Sequence, residues 1–461
     1  MKKLYSMLTS VLLCSLLAFD GVAQNKPAPK AGNQSAAKTS VKNPQIKFQD
    51  VKLKNGLRVL LVEDHSAPVI SVVMNFNVGS RDERKGRTGF AHLFEHLMFM
   101  GSENVGKNEY SFLIDNNGGA NNATTDQDRT IYYQTLPSNQ LDLALFLEAD
   151  RMRALDINKD ALDIQRNAVQ EERRMRMDNQ PYGKAQEKFG ETIYDNFAYK
   201  HSVIGSMEDL NAASVEDVKD FFRIYYAPNN SVLALVGDFN TAQALSKIKQ
   251  RFENIPAQPA PPKVDTTEPE QTAERRLNLD DPLAQVPLLL IAHKGVVGNT
   301  PDAYAMQILN SILASGQSSR LYQKLVKDKQ IALQAGGFSQ AMRGAGAHLV
   351  QAIITPGKKS EEVEAAIYEE LERLQKEPVA DWELEKAKNF ARRGAINAMS
   401  DSQGIAFTMA EDAIAYNDPN LINTRLQKLA AITKADIQRV AQKYFKSTNR
   451  TVLLVSPQQK S

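Results

Sequence analysis

The feature that most constrains the fold is a segment that occurs twice. Residues 214–237 read SVEDVKDFFRIYYAPNNSVLALVG, and residues 433–456 read TKADIQRVAQKYFKSTNRTVLLVS. An ungapped shift of 219 residues lays Asp217 on Asp436, Val218 on Ile437, Tyr225 on Tyr444, Asn230 on Asn449, and Leu235-Val236 on Leu454-Val455. Each copy reads as an amphipathic helix opened by a Ser or Thr cap, then a short loop, then a buried-type strand. The same three elements at the same place in two halves point to duplication. Length agrees, because 461 residues exceed what one hydrophobic core ordinarily serves. Between the copies, NIPAQPAPPKVDTTEPEQ from Asn254 to Gln271 has the proline density of a linker. The folded chain therefore divides into an N-terminal domain over 45–253, a linker over 254–274 and a homologous C-terminal domain over 275–461.

Strand patterns run over 57–63, 69–78 and 130–136, and helical spacing covers 141–152 and 159–177. Strands and helices do not alternate one for one, which favours α+β domains over a doubly wound parallel sheet.

The N-terminus reads as a secretory signal over 1–23. Lys2 and Lys3 precede an apolar run from Leu8 to Phe19, and Gly21-Val22-Ala23 supplies a small-residue cleavage site before Gln24. The apolar run is shorter than the ~20 residues of a spanning helix. Residues 24–44 are polar and rich in Ala, Lys, Pro and Ser, the composition of a flexible tether. The single cysteine, Cys14, falls inside the signal, so the exported, periplasmic or secreted chain has none. A metal site in it must use histidine and carboxylate ligands. The net charge of +2 gives no global attraction for nucleic acid, and no later stretch is apolar enough to span a bilayer.

Residues 89–101 read GFAHLFEHLMFMG. On a helix, His92 and His96 lie one turn apart on the same face, about 6 Å along the axis, where two imidazoles can grip one zinc ion. Glu95 sits beside them, placed for a water rather than for the metal, and Thr88 is the expected N-cap. The spacing H-x-x-E-H is the inverted zinc-binding motif. A catalytic zinc takes a third protein ligand, which must come from another element. Glu171-Glu172 on the 159–177 helix offers one. Ala161, Ala168, Val169 and Met175 mark that helix's apolar face, with Glu172 near its middle and Glu171 at its edge. The competing assignment pairs a partly exposed Glu172 with Arg173 or Arg176, and the run 173–176 reads as a solvated face.

These motifs resemble the pitrilysin, insulysin and mitochondrial processing peptidase family of zinc metallopeptidases, and the likeness covers nearly all of the chain past the tether. Glu172 lies 76 residues beyond His96, the spacing typical of that family's third ligand. Gly118-Gly119-Ala120-Asn121-Asn122-Ala123-Thr124 resembles its Gly-Gly-x-x-Asn-Ala-x-Thr segment. The resemblance implies two homologous α/β-sandwich domains forming half of a clamshell, and one Zn2+ per chain held by His92, His96 and Glu172. It implies Glu95 as general base, and a sheet edge at Asn122 and Ala123 onto which a peptide substrate adds as a strand. The chain departs from the pattern in two respects. Where the family commonly has a Glu seven residues before the third ligand, this chain has Gln165. Where active members carry Arg and Tyr in the second half, it has Val326 and Leu333, neither able to donate to an oxyanion.

The expected activity is endopeptidase hydrolysis of an extended peptide, with a homologous two-domain subunit supplying the missing Arg and Tyr. Two other classes compete: a non-catalytic scaffold of the same fold, and a peptide-binding protein with a structural zinc. An intact ligand set with Glu95 beside it argues against both.

Overall fold

The structure, a computed structural model, describes residues 44–458. The secretory signal at 1–23 and all but the last residue of the tether at 24–44 lie outside the described residues.

Two sheets carry the duplication. The first contains β1 (Gln49–Lys52), β2 (Arg58–Glu63), β3 (Val69–Phe76), β4 (Ala120–Thr125), β5 (Thr130–Pro137) and β6 (Ser231–Gly237), in the spatial order β1-β2-β6-β3-β5-β4. The second contains β7 (Arg275–Asp281), β8 (Leu288–Lys294), β9 (Ala332–Gln340), β10 (Ala347–Ile354) and β11 (Arg450–Pro457), in the order β7-β11-β8-β10-β9. Without β1, the two orders are the same path. Each has one parallel pair, β2 with β6 and β7 with β11, among antiparallel neighbours. The repeated segments end in β6 and β11. Their helices, Val215–Tyr225 and Lys434–Tyr444, open with the same reciprocal cap, Ser214 with Asp217 and Thr433 with Asp436.

Both faces of each sheet are covered, which explains why β3, β6 and β8 read as continuous apolar runs. Along β2 the side chains alternate: Val59 and Leu61 enter the first half's own core, while Leu60 and Val62 point to the other face. That other face, with Val73, Ile131, Val232, Ala234 and Val236, packs against Ile405, Ala406, Met409, Ala410 and Ala413 of the helix Ser402–Tyr416. The exchange is reciprocal. Leu288, Leu290, Ala292, Leu453 and Val455 on the second sheet are covered by Ala185, Phe189 and Ile193 of the helix Gly183–Ile193. Each half lends the other a helix. The proline-rich segment between them is tied down as well: the Glu268 carboxylate accepts the backbone N–H groups of Asp195 and Asn196 and pairs with Lys294 at 2.6 Å.

Candidate metal centre

The H-x-x-E-H segment forms a helix, Phe90–Leu97, that buries Phe90, Ala91, Leu93, Phe94 and Leu97 against the first sheet. Its cap is not Thr88. Gly89 occupies that position with φ +83°, a conformation favouring glycine, and a Cβ there would meet the Ile204 carbonyl oxygen at 2.6 Å. The Thr88 hydroxyl instead donates to Asp209 at 2.5 Å. The helix therefore has no local side-chain cap, and tertiary contacts hold its start.

Packed against it runs the helix Lys159–Arg173, which widens into a π-turn over Arg174–Asp178. Glu172 lies on its buried side, with a side chain 9% exposed, whereas the Glu171 side chain is 58% exposed and pairs with Arg174. The apolar face itself differs from the sequence reading. Leu162 and Val169 form it with Ala161, while Ala168 and Met175 face solvent. Arg173 is not on a solvated face either; it is buried, bonded to Glu187 and to the Gly205 carbonyl.

The fold brings three ligand-type side chains to one point. His96 Nε2 lies 3.3 Å and His92 Nε2 3.7 Å from Glu172 Oε2, and the two rings stand edge to face at 4.8 Å. Among the described residues, these are the only three or more His, Cys, Asp or Glu side chains gathered closely enough to share an ion; their donor atoms all lie within 4.8 Å of one another. Burial, then the neighbouring His96, pushes the His92 imidazole down to about 3, so the ring is neutral at physiological pH. Burial alone would raise Glu172, yet the hydrogen bond to His96 and the positive charges beside it draw it down to about 2. Arg176 pairs with the second oxygen, Oε1, at 2.7 Å, so the ion pair weighed in the sequence coexists with the convergence on the histidines. His92 Nδ1 is buried without a hydrogen-bond partner.

Glu95 stands beside this trio. Its Oε2 accepts the Thr125 hydroxyl at 2.5 Å, and burial raises its carboxyl above the usual range. Thr125 is the last residue of β4, the free edge of the first sheet, so the edge carrying Asn122 and Ala123 runs directly into the site. Gln165 lies against His96 and donates to the Met100 sulfur at 2.6 Å. Val326 and Leu333 are in the second half, the first packed on that half's core and the second half-exposed on β9. Arg320 is held by both carboxylate oxygens of Glu383. Sequence reasoning missed Thr125, and also Glu83, whose buried carboxylate accepts the backbone N–H groups of Gly89 and Ala91. Nothing in local spacing marks either contact.

Two half-buried histidines and a buried carboxylate converge beside a free sheet edge on duplicated α+β domains, a donor set that could hold a metal ion. Residues 58–206 match the family described as Insulinase (Peptidase family M16), and residues 212–390 match the Peptidase M16 inactive domain. The zinc protease PqqE of Helicobacter pylori is 31% identical over 89% of this chain and 93% of its own. A crystal structure of a protease from Helicobacter pylori superposes with a TM-score of 0.86 at 31% identity, covering 90% of this chain and all of that one (100%). The periplasmic protease PqqL of Escherichia coli shares the fold at 19% identity and a TM-score of 0.72; the match spans 90% of this chain but 48% of PqqL. The chain belongs to the insulinase family, peptidase family M16. Among the described residues, no helix is long and apolar enough to cross a membrane.

Proposed function

We propose that the chain is a zinc-dependent endopeptidase acting on extended peptides, and that it is the zinc-bearing subunit of a heteromeric enzyme. The observation that carries this is the convergence of His92, His96 and Glu172 with the Glu95 carboxylate beside them. Two histidine nitrogens and one carboxylate oxygen are the donor set by which a catalytic zinc would be held. Zinc held there would supply Lewis acidity to the scissile carbonyl and to the attacking water. The remaining work belongs to the chain. The β4 edge binds the peptide backbone as an added strand and presents it beside Glu95. Thr125 fixes one Glu95 oxygen, leaving the other to take the water's proton and deliver it to the leaving amine.

The partner is part of the proposal. Val326 and Leu333 offer no donor to the developing oxyanion, and Arg320 is occupied by Glu383. A homologous two-domain subunit bearing Arg and Tyr would complete the site. Export to the periplasm rests on the N-terminal signal pattern, and a relative of the same fold is a periplasmic protease.

The experiment is metal analysis and peptide cleavage on the purified mature chain, alone and with the homologous subunit. Close to one zinc per chain is expected, with weak cleavage alone and a gain of ~10²-fold or more with the partner. Glu95→Gln should retain zinc and lose cleavage by ~10²–10⁴-fold. A chain without zinc would be a scaffold, and a Glu95→Gln variant as active as the wild type would make the zinc structural.

A further inference from the structure

We infer that Glu83, tied to His201, is the positioning residue that sets the metal-binding helix in register for its ligands; this rests on the reading of His92, His96 and Glu172 as a zinc site. The helix Phe90–Leu97 is eight residues long and carries two of the three ligands. In a helix this short, the first-turn N–H groups are a large share of the backbone donors, and they need acceptors from outside. No side chain next to the helix in sequence supplies one, and Gly89 at the cap has no side chain to do so.

Glu83 fills that role from six residues upstream. Its side chain is fully buried (0% exposed), with Oε2 accepting the Gly89 N–H at 2.9 Å and Oε1 accepting the Ala91 N–H at 2.8 Å. Ala91 immediately precedes His92. A carboxylate clamped across both donors fixes where the first turn begins, and each residue of slip would rotate the ligands by about 100°. Negative charge at a helix N-terminus is also favoured by the helix dipole.

The clamp is itself held. His201 Nε2 lies 2.9 Å from Glu83 Oε2, and Nδ1 lies 2.7 Å from the Phe197 carbonyl oxygen. The Phe197 ring stacks on the imidazole at 4.4 Å. A carbonyl can only accept, so Nδ1 carries a proton, and one further proton is shared between Nε2 and Glu83. Asp209 fixes the preceding residue in the same manner, accepting the N–H and hydroxyl of Thr88. The segment carrying His201 and Asp209 therefore buttresses the start of the helix, and Glu83 transmits that support to the turn that bears His92.

The test uses the full mature chain and zinc alone as the probe, titrated against a chromogenic chelator. Glu83→Ala, Glu83→Gln and Arg320→Ala are compared at a temperature where circular dichroism shows every protein folded. Glu83→Ala should lower zinc affinity ~10-fold or more, by the scale of outer contacts in metal sites, and Glu83→Gln, which keeps one acceptor, by less. Arg320→Ala, which breaks an ion pair in the other half, should leave zinc affinity unchanged while lowering thermal stability. This separates positioning from general stability. If Glu83→Ala does not fold, Glu83→Gln carries the test, and a measurable fall in its affinity is required. Wild-type zinc affinity in the folded Glu83 variants would overturn the positioning role alone. A wild-type chain that takes up no zinc would overturn the metal reading and this inference with it.

Discussion

The two halves follow the same strand path, but among the described residues only the first gathers ligand-type side chains at one point. In the first, the helix after β3 directs His92, Glu95 and His96 toward Glu172, and His92 Nδ1 is left without a hydrogen-bond partner. In the second, the helix after β8, Pro301–Leu313, is mostly apolar, has no histidine and has Asp302 as its sole carboxylate. Gln307, Asn310 and Ser311 of that helix line a cavity of about 620 Å³, together with Phe390, Ala391 and Gly394 of the helix Asp381–Asn397. The nearby carboxylate Glu383 is fully engaged by Arg320. The frame that positions ligands in one half is thus compatible with a ligand-free interior in the other. Fold and chemistry are separable here.

The halves are not separable in folding, and cutting the chain between them is the most drastic test of the comparison. Residues 45–253 alone would expose Leu60, Val62, Val73, Ile131, Val232, Ala234 and Val236, now covered by the helix Ser402–Tyr416. Fully burying one such side chain is worth roughly 1.5–3 kcal/mol, and a domain's whole stability is only about 5–15 kcal/mol. Each fragment expressed alone should aggregate or remain partly unfolded, and co-expression of the two should recover a soluble noncovalent complex. Size-exclusion chromatography and circular dichroism decide this. A monomeric 45–253 fragment that unfolds cooperatively would show that the borrowed helix is dispensable.

How much of this was legible beforehand follows from how local each signal is. The duplication was readable because helix cap, amphipathic face and buried strand are contiguous in sequence, and Ser214 with Asp217 recurs as Thr433 with Asp436. His92 and His96 were readable because four residues make one helical turn. Placing Glu172 inside and Glu171 outside also required only periodicity, although two of the residues used to define that face, Ala168 and Met175, prove exposed. The helix exchange was not readable, since an apolar stripe on Ser402–Tyr416 does not say which sheet it covers. Nor were Thr125 on Glu95, thirty residues away, and Glu83 on Ala91, eight residues away, because neither contact follows from a helical or strand repeat. Thr88 illustrates the error this produces. A threonine before a helix is a sound cap by propensity, but Asp209, distant in sequence, claims its hydroxyl.

A smaller effect comes from an ion pair within the second half. Arg320→Ala should destabilise the protein by about 3 kcal/mol, because it strands the buried Glu383 carboxylate. Urea unfolding followed by circular dichroism measures this. A loss below about 1 kcal/mol would mean that solvent reaches the pair and that it behaves as a surface contact.

The smallest predicted effect is one of pH, and it belongs to histidines that have no part in the metal site. His293 and His348 face each other across β8 and β10, each at most 1% exposed. Burial pushes His348 down to about 3 and holds His293 well below its ordinary value. Both are neutral in the folded protein, while in the unfolded chain they gain a proton below about pH 6.5. Depressed histidines give stability that is complete above the unfolded value and is lost as pH falls toward the folded one. Between pH 7 and pH 5 the cost from His348 is about 2 kcal/mol, at about 1.4 kcal/mol per pH unit below 6.5. His201 in the first half runs the other way: against burial, Glu83 raises it, so its contribution is full at low pH and fades as pH rises. The Nε2–H of His348 donates to Asn310 Oδ1 at 3.1 Å, and His348→Gln keeps a side-chain N–H while removing the titration. Urea unfolding free energies of the metal-free protein, followed by circular dichroism at pH 7 and pH 5, should fall for the wild type and fall by about 2 kcal/mol less for His348→Gln. An equal fall in both would mean that the acid sensitivity arises elsewhere, and that the second half's buried histidines are as inert to pH as its helix Pro301–Leu313 is to metal.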